Sequence, residues 1–102
     1  MRKWDVFLAN VKYEDESVWK ERPIVVFDTD QYYVMGFYST SQKKGFANEY
    51  EVVDWNGARL DKKTYVRIDK TLEIHKTNIL HQIGRLRPID ILGIQDKRKK
   101  ME

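Results

Sequence analysis

Two apolar segments separated by a short polar one constrain this chain more than anything else in its sequence. Ile24-Val25-Val26-Phe27 is four consecutive apolar residues with β-branched bias, and Val34-Met35-Gly36-Phe37-Tyr38 follows after Asp28-Thr29-Asp30-Gln31. The intervening residues have side chains that bond local backbone, so the pair is predicted to be a β-hairpin. Pro23 suits the first position of a strand, where no ladder donor is lost, and Gly36 predicts a bulge or a close backbone approach. Folding back about Asp28–Gln31 pairs positions whose numbers sum to roughly 59–60. Arg22 then faces Phe37 or Tyr38, with Thr40 roughly 7–10 Å further along the strand. A guanidinium is thereby placed beside the hydroxyls of Ser39, Thr40 and Ser41, with Lys43 and Lys44 following. That grouping is a candidate phosphate site.

The rest of the chain is predicted to be strand-rich. Val6–Val11 is mostly apolar on both faces and fits a central strand. Residues 13–21 form an acidic loop through Glu14, Asp15, Glu16 and Glu21, and residues 42–48 form a second loop. Tyr50–Val53 is a short strand, broken by Asp54-Trp55-Asn56-Gly57. Thr64–His75 alternates most clearly, with Val66, Ile68, Leu72 and Ile74 on one face, Lys70 the exception, and Tyr65, Arg67, Asp69, Thr71 and Glu73 on the other. Thr77 can cap a short helix over 78–83, with Gly84 just past its end. A second helix is predicted to run through Pro88 to about Gln95, and the basic run Lys97–Lys100 to fray in solvent.

With 102 residues the chain makes one domain, able to bury a modest core without staples. Cysteine is absent, which excludes disulfide and thiolate chemistry. No apolar run approaches the roughly 18–20 residues that span a bilayer, and Met1-Arg2-Lys3 leads into Trp4-Asp5-Val6 without a signal-peptide core. A soluble, cytoplasmic protein without membrane partners is expected. The net charge of +3 falls short of the excess seen in architectural nucleic-acid binders, so its distribution matters more than its sum.

Four blocks in order now suggest a family. Trp4-Asp5-Val6-Phe7-Leu8-Ala9, Arg22-Pro23-Ile24-Val25-Val26, Tyr38-Ser39-Thr40-Ser41, and Tyr65–Lys70 followed by Ile83-Gly84-Arg85-Leu86 resemble the MazF/PemK ribonuclease toxins. The resemblance spans most of residues 1–102 as a single toxin domain. It implies a mainly β (α+β) fold: a small SH3-like antiparallel barrel with one or two short C-terminal helices. It also implies sequence-selective cleavage of single-stranded RNA without a metal or other cofactor, a homodimer, and a cognate antitoxin that occupies the RNA groove in a type II toxin–antitoxin system. Where the family has an isoleucine or valine before its threonine this chain has Ser39, so both Ser39 and Thr40 stand as candidates for the catalytic hydroxyl.

Cleavage of RNA can use the neighbouring 2′-hydroxyl as nucleophile. The protein must then assist proton removal, stabilise charge on phosphorus and protonate the leaving oxygen. Arg22 suits the second task because its donor fork matches two phosphate oxygens. Thr40 and Ser39 are the candidate catalytic alcohols, and in the family the arginine itself is implicated in proton transfer. Ser41, Lys43 and Lys44 are candidate RNA contacts, as are Arg67 and Tyr65, a charge beside an aromatic on one strand face. The alternative for Arg67 is an ion pair with Asp69 or Glu73. Phe46, Tyr50 and Trp55 are candidate groove aromatics or core residues. His75 and His81 are not forced together, and no His/Cys/carboxylate spacing indicates a metal. A second function class remains open: a non-catalytic SH3-like module that binds RNA or peptide, favoured by the acidic loop before Arg22.

Overall fold

The computed structural model describes residues 1–13, 16–45 and 48–101, so Phe46 and the acids Glu14 and Asp15 lie outside the described residues. Among the described residues six strands and one α-helix follow in order: β1 Asp5–Val11, β2 Lys20–Thr29, β3 Tyr33–Thr40, β4 Glu49–Glu51, β5 Tyr65–His75, β6 Ile79–Arg85 and α1 Pro88–Lys100. They form one antiparallel sheet in the order β4-β5-β3-β2-β1-β6. The expected mainly β fold with a C-terminal helix is present. The expected barrel is not, because the sheet is open and no ladder joins β4 to β6 among the described residues.

The hairpin forms as predicted but turns later. Asp30 closes it by accepting the amides of Tyr32 and Tyr33, each at 2.8 Å. Those two bonds also hold its carboxyl below the usual carboxylate range. Val25 pairs with Phe37 and Thr29 with Val34, a slip of at least two residues from the expected register, with a bulge between Val26 and Asp28. The slip favours the candidate site: Pro23 now neighbours Ser39, accepting its hydroxyl at the backbone carbonyl, so Arg22 falls level with Thr40. Gly36 marks a close approach, since a Cβ there would lie 2.0 Å from Ile24 Cγ2.

Both faces of the central strands are covered. Val6, Val25, Phe37, Val66 and Ile68 join Leu86 and Ile94 in the cluster on the helix side. Ala9, Val11, Tyr13, Ile24 and Ile74 make a second cluster, and Phe7, Val26 and Val34 a third. The single apolar face expected for β5 is therefore split. Its pairing with β3 jumps from Thr71 to Arg67 between Phe37 and Tyr38, and that irregularity sends Val66 and Ile68 into one cluster and Ile74 into another.

The chain after His75 also departs from expectation. Lys76–Asn78 is a single 3₁₀ turn, and 79–85 is strand rather than helix. The physical reason is the free edge of β1, whose buried backbone needs partners that β6 supplies from Leu8–His81 to Asp5–Arg85. Gly84 is not a helix cap. A Cβ there would lie 2.1 Å from the carbonyl oxygen of Ala58, so glycine lets the 54–60 turn press on β6.

The basic run does not fray. It completes α1: Lys97 Nζ donates to the Glu49 carbonyl at 2.6 Å, and the Arg98 guanidinium lies 4.5 Å from the centre of the Phe27 ring. At the other end of α1, Asp90 is fully buried in the first turn. Its carboxylate accepts from Tyr50 Oη at 2.8 Å, Val53 N at 2.7 Å and Asp54 N at 2.9 Å. Burial and that bond push the Tyr50 phenol far above its ordinary pKa. Tyr50 and Trp55, candidates for a groove, pack instead against the helix-side core. Asp90→Ala strands three part-buried donors and is expected to cost about 2–4 kcal/mol, read as a lower urea midpoint at unchanged m-value.

Candidate active site

Beyond the helix-side core, the loop before β2 and the ends of β2 and β3 meet β1 and β6 around a cleft of about 840 Å³. Arg22, Ser39, Thr40, Ser41 and Lys44 all line it, so five of the residues singled out from sequence converge. Lys43 is exposed outside the lining. Tyr65 is buried, as the strand partner of Thr40. Arg67 forks onto Asp69 with two bonds of 2.9 Å, the ion-pair alternative, and these draw the Asp69 pKa down.

The guanidinium of Arg22 is held by two contacts. It pairs with the Glu16 carboxylate and lies 4.5 Å from the centre of the Tyr13 ring. Arg22 Nε and Glu16 Oε1 are buried with no hydrogen-bond partner, so each group keeps an unused polar atom at the site. Glu16 was visible in the sequence only as part of an acidic stretch, a barrier to RNA; in the structure it positions the arginine.

The two candidate alcohols differ. Ser39 is buried, and its Oγ donates to the Pro23 carbonyl. Thr40 is half-buried, and its Oγ1 accepts from Gln42 N at 3.2 Å, which leaves its own proton free to donate. Tyr13, which nothing in the sequence marked, fixes this corner. Its hydroxyl donates to Ser39 O at 2.7 Å and accepts from Ser39 N at 3.0 Å, and its ring stacks on Tyr38 at 4.3 Å. Burial raises the Tyr13 pKa above its ordinary value, against the lowering pull of the Ser39 backbone bond and the Arg22 charge.

The opposite wall was not anticipated. Arg59, Lys62, His81 and Gln82 line it. His81 was assigned to a helix; as part of β6 it sits across Leu8, which in turn pairs with Pro23. His75 lies elsewhere, bonded through Nδ1 to Thr77 Oγ1 at 2.8 Å. Among the described residues no group of three or more His, Cys, Asp or Glu side chains has an arrangement that holds a metal ion. No described helix is long and apolar enough to cross a membrane.

Comparison of the coordinates with solved structures gives a match to the Mycobacterium tuberculosis toxin MazF-mt6. The two superpose with a TM-score of 0.72 over 94% of this chain and 93% of that one, at 19% sequence identity. The chain has the MazF fold. No protein-family model matches the sequence. No curated protein matches it either. The fold-level match agrees with the fold implied by the resemblance of the four sequence blocks.

Tyr13→Phe removes both bonds to Ser39 and is expected to cost about 1–3 kcal/mol, measured by urea unfolding. Because the folded pKa of Tyr13 is raised, the neutral phenol is favoured in the native state. Its contribution is complete below about pH 10 and is lost as pH rises beyond the unfolded value. The wild-type protein should therefore lose stability above that pH more steeply than Tyr13→Phe.

Proposed function

We propose that this protein is a sequence-selective endoribonuclease toxin of a type II toxin–antitoxin system, cleaving single-stranded RNA in the cytoplasm without a metal ion. The observation that carries this reading is the convergence of the Arg22 guanidinium and the Thr40 hydroxyl on one cleft of a MazF fold. A phosphodiester entering the cleft displaces Glu16 from part of the Arg22 donor fork. Arg22 then stabilises the charge that builds on the non-bridging oxygens as the 2′-oxygen bonds to phosphorus and the bond to the 5′-oxygen breaks. One proton passes net from the 2′-hydroxyl to the 5′-oxygen, leaving a 2′,3′-cyclic phosphate and a 5′-hydroxyl. Thr40 donates to the same oxygens, and Tyr13 and Glu16 position the two groups. By the family resemblance the protein works as a homodimer, and an antitoxin silences it by occupying the cleft.

A binding module without chemistry is the second reading, and the Arg22–Glu16 pair is what favours it, since the guanidinium already has an anionic partner. Cleavage decides between them. In excess chelator the purified wild-type protein should produce discrete new 5′ ends in a mixed single-stranded RNA. Arg22→Ala should reduce the rate at least about 10²–10³-fold, the usual cost of one oxyanion donor, with an unchanged fold by circular dichroism. Thr40→Ala should fall in the same range and Ser39→Ala should act through stability. Wild-type protein that binds the RNA and leaves it intact supports the binding module.

A further inference from the structure

Arg59 is one of two described non-glycine residues with a positive φ, at 66°. That region disfavours a side chain with a Cβ, and glycine occupies it without penalty. Gly57 stands two residues earlier, but it does not take the left-handed position. The neighbours of Arg59 explain the constraint. Ala58 and Leu60 are both buried, at 0% and 5% exposure, and the turn is closed by Ala58 N to Asp54 O at 3.2 Å and Leu60 N to Trp55 O at 2.9 Å. With its two neighbours held in the core and Ala58 pressed on Gly84, the residue between them is turned outward into the cleft. Among the described residues its guanidinium has no hydrogen-bond or ion-pair partner. An unpaired, permanently charged group is thus kept at a strained backbone position facing the same cavity as Arg22 and Thr40. Strain retained at a site calls for a role there.

The geometry points to Arg59 as a phosphate-binding residue of the cleft, taking a phosphate of single-stranded RNA next to the one that Arg22 engages. This rests on the cleft being the RNA site. Arg22 belongs to β2, and β1 separates it from β6, on which the Arg59 turn rests. Two strand spacings, roughly 10 Å, therefore divide the two walls. Lys62 adds positive charge beside Arg59, and Asp61, also lining the cleft, opposes it without pairing to it. A strand of RNA laid across Leu8 and Pro23 would meet Arg22 on one wall and Arg59 on the other.

Arg59→Gly tests this with opposite effects on two measurements. Relief of the left-handed strain should raise Tm by about 4 °C or more. The loss of one charge-assisted contact should raise KM for a mixed single-stranded RNA about tenfold with kcat nearly kept, and lower the salt slope of binding by about 0.7. Arg59→Lys, which keeps charge and strain, should retain the wild-type salt slope. Binding is read with a single-stranded DNA of the same sequence, which carries the phosphates and lacks the 2′-hydroxyl. A lower Tm in Arg59→Gly, or an unchanged salt slope, overturns the assignment. A fall in kcat at constant KM overturns it as well, placing Arg59 on the scissile phosphate. If the wild-type protein cleaves no RNA, the catalytic reading fails, and the DNA-binding comparison still decides the role of Arg59.

Discussion

Burial of β1, β2 and β3 on both faces is the constraint from which the rest follows. Val6, Val25 and Phe37 fill one side of these strands while Ala9, Ile24 and Val26 fill the other. Strands covered this way have little solvent-facing surface, so the polar side chains of the candidate site gather at their ends and in the loops that close over them. Arg22 opens the apolar part of β2, Thr40 ends β3, and Tyr13 follows β1. Their placement is the consequence of the core stopping there. The open edge of β1 draws β6 alongside and brings His81 and the Arg59 turn to the facing wall.

Much of this was legible in residue pattern. Four consecutive apolar residues at Ile24–Phe27, a turn-forming stretch and a second apolar run specify the hairpin, and the family resemblance, more than the residues alone, singles out Arg22 and Thr40. What the pattern could not carry is register and long-range pairing. A turn placed later than Asp28–Gln31, with a one-residue bulge between Val26 and Asp28, is invisible to alternation, yet together they set Arg22 level with Thr40 instead of Phe37 or Tyr38. In β5 the irregularity near Tyr38 divides an alternation broken only by Lys70 between two clusters. Residues 79–85 have helix-compatible spacing and a plausible cap at Thr77, and only the unpaired edge of β1 makes them a strand. Tyr13 and Arg59 carried no local signal at all, because their roles come from contacts made across the sheet and from a backbone angle.

The electrostatics of the cleft are balanced more finely than its basic content suggests. Arg22 is shielded by Glu16, and Glu21 and Asp61 also reach the lining. A polyanion must compete with these carboxylates, so adventitious binding is weakened while a ligand that satisfies Arg22 and Arg59 together recovers the cost. Tyr13 joins the two levels of organisation: its ring supports the guanidinium, and its hydroxyl fixes the strand end that presents the threonine.

The anchoring of the last helical turns has a practical corollary. Lys97 is tied to the Glu49 carbonyl, Arg98 lies over Phe27 and Phe37, and Lys100 pairs with Asp96. Glu49 in turn holds the amide of Lys44 at 2.9 Å. Deleting the basic run 97–100 would therefore loosen the rim of the cleft from behind.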